Sequence, residues 1–281
     1  MKKLRHYFGS WEMTTKQILL FAVAAAVYTA AVAVIPFLRD TSFYDINVYL
    51  EPWILFATLI AVNSRSWREA GLRCFLFFLI SQPLIYLFQV PFSREGFGLF
   101  RYYPYWFYIT LLTLPGGAIA YLVKRKNWLS VAVLSVATCV LATSAVRYAT
   151  TAILRFPHHL LSAIFSFASG ILLIFVLLDE KKHRAVALAL MLTAFLAYGI
   201  YTGIDIGKGR TEEFMLDAGT WTYTVEDESV AAVTVDEENR VTVTAGKEGN
   251  TFIYFEDADG TVRTVYASVL GGKIFLNEFE D

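Results

Sequence analysis

The sequence predicts a mainly α-helical polytopic membrane bundle, with seven transmembrane helices, followed by a small all-β domain at the C-terminus. Three observations carry this. Of 281 residues, 56% are hydrophobic and only 17% charged, against roughly 45–50% and about 25% in soluble domains. Seven apolar runs each approach the ~20 residues that a helix needs to cross a bilayer core. The charge splits sharply: residues 1–204 hold 18 Lys+Arg against 8 Asp+Glu, whereas residues 205–281 hold 6 against 17. Opposite net signs and different hydrophobicity divide the chain into a transmembrane domain (1–204), a linker or first strand (205–218) and a β-domain (219–281).

The runs are Gln17–Phe37, Ile46–Asn63, Cys74–Val90, Tyr105–Val123, Trp128–Val146, Leu160–Leu178 and Ala185–Ile204. The first follows a basic flank (Lys2, Lys3, Arg5, Lys16), but it is longer than the roughly 7–15 residues of a signal-peptide core. It is therefore expected to be a retained helix. The second is interrupted by Glu51-Pro52. Small residues recur every fourth position at Ser135-Cys139-Thr143, Ser162-Ser166-Gly170 and Ala185-Ala189-Thr193-Ala197, a spacing that lets helix backbones approach closely in lipid. The last stripe predicts that the seventh run packs into the bundle through that face. Cys74 and Cys139 lie inside apolar runs and read as packing residues rather than a disulfide.

Orientation follows from Lys and Arg near the span ends. With seven spans and a cytoplasmic N-terminus, thirteen of these cations fall inside, and five (Arg39, Arg94, Arg101, Arg147, Arg155) fall outside. Dropping the second run reverses the bias for the later loops. The expectation is a multi-pass protein of the cell membrane whose C-terminal domain is extracytoplasmic.

Two groups of residues in the membrane half are candidates for function. Glu51 is the one acidic residue inside a predicted span, and a charge at a helix centre nominally costs about 2.5–3.5 kcal/mol in lipid. Either it binds a cation or relays a proton, or its helix starts at Pro52 and leaves it at the interface. Gln82 beside Pro83, and Pro115-Gly116-Gly117, break the third and fourth runs. Broken helices that meet near the midplane are one way transporters build binding sites. The second group lies in the aromatic outer segment 88–108, where Arg94, Arg101, Tyr102, Tyr103 and Trp106 combine cations and rings. Such a set suits a lipid headgroup or glycan, or else an interfacial aromatic belt. His158-His159 point about 100° apart on a helix and do not make a metal site. No nucleophile motif, phosphate-cradling glycine loop or HExxH is present. No cofactor, metal or nucleic-acid partner is expected.

From Asp205 the pattern becomes alternating. Trp221–Val225, Arg240–Thr244, Thr251–Phe255 and Thr261–Tyr266 read as strands. Asp257-Ala258-Asp259-Gly260 reads as a hairpin turn rather than the start of a calcium loop. Short strands at such spacing predict a small antiparallel sandwich.

Trp221, the element Ser229-Val230-Ala231-Ala232-Val233, Asp236, Val241 and Val243, Ala245-Gly246 and the alternation at Thr251–Phe255 occur in the order of a known pattern. Residues 219–270 thus resemble a bacterial immunoglobulin-like domain of group 2. The resemblance implies an extracytoplasmic module for adhesion, spacing or ligand contact, with an envelope protein or glycan as partner. Because the family's first strands should lie further upstream, the sandwich is either reduced or completed by Glu213–Leu216 and Lys273–Phe279. Two readings of the whole chain follow: a protein that displays this domain to an envelope partner, or a small-solute or ion transporter with the domain as an external cap.

Overall fold

The computed structural model describes residues 7–9, 11, 13–39, 41–154 and 156–279. Lys2, Lys3, Arg5 and Arg155, which enter the charge count above, lie outside the described residues. Among the described residues, eight α-helices precede seven strands: α1 Thr15–Val34, α2 Ser42–Val48, α3 Leu50–Val62, α4 Trp67–Gln89, α5 Tyr103–Ala120, α6 Trp128–Leu154, α7 Leu160–Leu177 and α8 Lys181–Lys208. Six helical segments are long and apolar enough to cross a membrane: Thr15–Val34, Trp67–Phe92, Gly96–Arg125, Trp128–Leu154, Leu160–Leu177 and Lys181–Lys208. The second expected span, Ile46–Asn63, is instead the pair α2 and α3, bent by 43°. Among the described residues the count of candidate spans is six, or seven if that pair crosses as one broken span. The break falls at Tyr49, whose extended backbone (φ −83°, ψ −178°) separates the two helices. Pro52 sits in the first turn of α3, where its missing N–H costs no helical hydrogen bond.

The chain forms two compact units. The first comprises residues 1–149 and 158–196, and the second 150–157 and 197–281. Within the first, α1, α3 and α4 share a core built on rings. Phe77 is fully buried, with Phe21 at 5.0 Å and Trp53 at 6.0 Å between centroids. Helices α6, α7 and α8 share another, centred on Leu134, Leu141, Leu173, Ile174 and Met191. Helix ends are fixed locally: Thr14 and Gln17 close a reciprocal capping box on α1, and Ser66 accepts from the Glu69 N–H of α4.

Two close approaches depend on glycine. A Cβ on Gly117 of α5 would stand 2.8 Å from Cys74 Cβ and 2.9 Å from the Ala70 carbonyl of α4, and one on Gly71 would stand 2.6 Å from the Leu114 carbonyl. Helices α4 and α5 run unbroken through Pro83 and Pro115, so Gly117 serves the contact between them. Gly117→Ala is expected to cost about 1–3 kcal/mol by forcing the helices apart, measurable as a lower unfolding temperature in detergent; Gly116→Ala, which would touch nothing within 4 Å, should be near neutral.

The small-residue stripe expected on α8 is not its packing face. Ala185, Ala189, Thr193 and Ala197 are exposed, whereas His183, Ala187 and Met191 are buried. The reason lies on the partner helix: a Cβ on Gly170 of α7 would stand 2.8 Å from Met191 Cε, so a long thioether fills the space that glycine leaves. Burial therefore follows the large knob rather than the small residues.

In the second unit, strands β1 Thr211–Met215, β2 Trp221–Val225, β3 Ala231–Val235, β4 Arg240–Ala245, β5 Gly249–Asp257, β6 Val262–Leu270 and β7 Lys273–Phe279 form two antiparallel sheets, β1-β4-β3 and β2-β5-β6-β7. Alternate residues point inward, and Val241, Val243, Ile253, Phe255, Val265 and Ala267 are fully buried between the sheets. The strands added at each end, β1 and β7, occupy the two stretches named above as completing the sandwich. Helix α8 continues past the expected boundary at Asp205 to Lys208. Its last turn is tied to β7 by the Asp205–Lys273 ion pair and by the Ile274 N–H donating to the Gly209 carbonyl at 2.8 Å.

Backbone geometry explains two parts of the tail's sequence pattern. A Cβ on Gly246 would stand 2.3 Å from the Ser229 carbonyl, because the Gly246 and Lys247 N–H groups each donate at 2.7 Å to Val230 and Ser229. Only glycine fits there. In the β5–β6 turn, Asp257 Oδ1 accepts from the Asp259 and Thr261 N–H groups at 2.9 and 2.8 Å, and Gly260 takes φ +82°. The carboxylate thus closes a hairpin.

Asp257 and Asp227 are held below the ordinary carboxylate value, the first by the Thr261 backbone N–H and the second by Ser229. A lowered folded-state pKa stabilises the domain fully above the unfolded value near 3.8, and the contribution is lost as the pH falls through the folded value. Acid unfolding of the tail below about pH 4 should therefore become less steep in an Asp227→Asn, Asp257→Asn double variant, followed by β-sheet circular dichroism.

Candidate functional site

At one end of the helical bundle, the start of the α2–α3 pair, the end of α6 and the start of α7 bring ionisable side chains together out of solvent. Asp45 of α2 is 3% exposed and Glu51 of α3 is 2% exposed. Each carboxylate faces a cationic or imidazole group from the segment 147–159. Asp45 Oδ2 lies 2.5 Å from His159 Nδ1 and accepts from the Ser162 hydroxyl at 2.7 Å. Glu51 Oε2 accepts from the Tyr148 hydroxyl at 3.4 Å, and Oε1 lies 3.6 Å from an Arg147 guanidinium nitrogen. The Arg147 guanidinium also lies over the rings of Tyr148 at 5.1 Å and Tyr49 at 5.8 Å. The Tyr148 and His159 rings are stacked at 6.3 Å, joining the two pairs.

Burying two carboxylates is costly unless each is paired and hydrogen-bonded. Asp45 meets that condition at short distance. Glu51 meets it loosely: Oε1 is buried and makes no hydrogen bond among the described residues. The Ser162 hydroxyl is bonded to Asp45 and not to the imidazole, so serine, histidine and aspartate are not in the order that activates a nucleophile. No group of three or more His, Cys, Asp or Glu among the described residues is placed to hold a metal ion. The arrangement is an ion-pair network in which Glu51 Oε1 has the Arg147 guanidinium at 3.6 Å and no hydrogen bond among the described residues.

The other residues singled out in the sequence go to separate places. Gln82 lines a cavity of about 180 Å³ that Trp106 also lines. Pro115 lines a different, apolar groove with Gly71 and Leu114, and Gly117 is packed on α4. Glu51 belongs to the charged network. In the aromatic segment, Arg101 is 3.1 Å from Glu95 and 2.6 Å from the Tyr102 hydroxyl, while Arg94 is exposed. Tyr103 packs on Tyr86, Phe100 and Phe107. Of that group, Trp106 lines a cavity. His159, considered from sequence only as a metal ligand and set aside, has an acidic partner in Asp45, 114 positions away. One signal for it was available. Asp45, Arg147 and His159 each lie within a residue of a predicted span end, and all three ends fall on the same side.

Comparison with known proteins bears on the β-domain. The family model described as "Pilus formation protein N terminal region" matches residues 202–269, from the last turns of α8 through β6. No curated protein and no solved structure matches the chain. Fold and comparison define the class: a helical part with six or seven candidate membrane spans that carries a C-terminal two-sheet β-domain similar to a pilus-formation region. The match is to that region and not to the group 2 immunoglobulin-like family that residues 219–270 resemble.

Proposed function

We propose that this chain is an integral protein of the bacterial cell envelope that holds its β-domain outside the membrane, where it docks with an envelope protein in pilus formation or secretion. The observation that carries the reading is the match of residues 202–269 to a pilus-formation region, which begins inside the apolar helix α8 itself. Helix and domain then form one unit of function, with the helix as the arm of the domain. The excess of Lys and Arg in the predicted loops on the same side of the membrane as the N-terminus supports the outward orientation. The fold of the domain in this reading is immunoglobulin-like, and a protein partner is favoured over a glycan for the tail because the matched region is one of protein assembly. Deleting residues 209–281 is expected to shrink the native complex extracted in mild detergent by more than the mass removed, while the helical part stays in the membrane. A complex reduced only by the mass of the deleted segment would overturn the proposal.

One observation favours a second reading, transport: Glu51 Oε1 is buried without a hydrogen bond, as suits a carboxylate that loads and releases a proton or cation. Here Glu51→Gln should reduce solute or ion flux into reconstituted vesicles at least about tenfold, on the scale of one lost charge-assisted contact, with folding retained. Unchanged flux removes the support for this reading.

A further inference from the structure

Helices α1 to α5 enclose a cavity that the charged network does not use. It lies where α1, α2 and α4 end and where α3 and α5 begin, and its volume is about 180 Å³. Four of its wall residues are amphipathic rings, Tyr44, Trp53, Tyr86 and Trp106, and two are carboxamides, Gln82 and Gln89. Gln82 is 7% exposed, yet its amide makes no hydrogen bond among the described residues. The Thr29 hydroxyl in the same wall is already satisfied by the Asn47 carbonyl at 3.3 Å. A carboxamide in a largely apolar wall is best placed where it meets a polar partner, and this one borders the open space of the cavity.

The geometry points to a binding site for a small neutral ring that carries hydroxyl groups, a single hexose-sized sugar unit. Size comes first: the volume is below the roughly 300–1,000 Å³ of sites for drug-sized molecules, and one ring fills it. Chemistry comes second. Flat Trp and Tyr faces pack against the C–H face of a sugar, and a carboxamide offers both a donor and an acceptor to adjacent hydroxyls. Charge comes third. A ring of aromatics also suits an ammonium group, but the nearby carboxylates are engaged elsewhere: Asp45 with His159 and Ser162, Glu51 with Arg147 and Tyr148. Neither carboxylate lines the cavity, which therefore offers a cation no counter-charge.

The test is a fluorescence titration of the full chain in detergent, reading Trp53 and Trp106, with methyl glucoside, N-acetylglucosamine and tetramethylammonium as probes. A saturable response to at least one sugar and none to the ammonium ion is expected. Gln82→Leu should weaken the sugar response about tenfold, on the scale of one hydrogen bond, with the unfolding temperature unchanged or raised. Gln89→Leu, at a half-buried position, carries the same expectation and serves if Gln82→Leu does not fold. The inference is overturned by no response to either sugar, by a response to the ammonium ion instead, or by wild-type sugar affinity in the folded variant.

Discussion

Replacing His159 with alanine is expected to destabilise the helical bundle by about 3–5 kcal/mol, the range for a buried pair that loses one partner. Asp45, 3% exposed in the wild type, would keep the Ser162 hydroxyl as its side-chain partner among the described residues, and the cost falls on that stranded carboxylate rather than on the missing ring. The distinguishing measurement is a double-mutant cycle in detergent. Asp45→Ala and His159→Ala should each be strongly destabilising, and the double variant should be less destabilised than their sum by at least about 1 kcal/mol. Strict additivity, or a loss below about 1 kcal/mol for His159→Ala, would mean that the contact behaves as an exposed ion pair and does not fasten α2 to α7.

Phe255→Ala is expected to be the most destabilising single change in the β-domain and to raise its unfolded population sharply. The ring is fully buried between the sheets and meets Phe214 edge-on at 5.7 Å, so one side chain joins β5 to β1 across the core. Removing it costs about 3–5 kcal/mol. Domains are stabilised by roughly 0.05–0.15 kcal/mol per residue, so a tail of this length holds on the order of 4–11 kcal/mol, and the loss takes from about a third to all of it. Limited proteolysis of the full chain should show the segment after Lys208 cut rapidly at 25 °C while the helical part keeps its wild-type pattern. A tail that resists protease as the wild type does would contradict this placement of the core.

Much of the fold was legible from the sequence, because lipid and sheet geometry both write simple periods. Apolar runs of bilayer length marked the helices, and alternation at Arg240–Thr244 and Thr251–Phe255 marked strands β4 and β5. The hairpin at Asp257–Gly260 followed from its turn residues. What escaped was pairing between distant residues. Asp45 and His159 are 114 positions apart, and no local pattern announces their contact. The bend at Tyr49 was displaced to Glu51-Pro52 because proline is a conspicuous breaker, although it is harmless in a first turn. The face of α8 was misread because small residues admit a close neighbour but do not say which helix supplies the knob. Met191 opposite Gly170 did. In the candidate sites, burial of Glu51 and Gln82 fell where single polar residues interrupt apolar runs. The grouping of Gln82 with Trp106 needed the three-dimensional arrangement of α4 and α5.

Display of the β-domain outside the membrane is tested most directly by protease shaving of intact cells that carry a tag after residue 281, with the outer permeability barrier opened and the cytoplasmic membrane sealed. The proposal predicts that the tag and the β-domain are removed from intact cells, with the cut between Lys208 and the tag and a cytoplasmic control protein untouched. A tail that stays protected until the cytoplasmic membrane is itself opened would contradict it, and would place the domain in the cytoplasm.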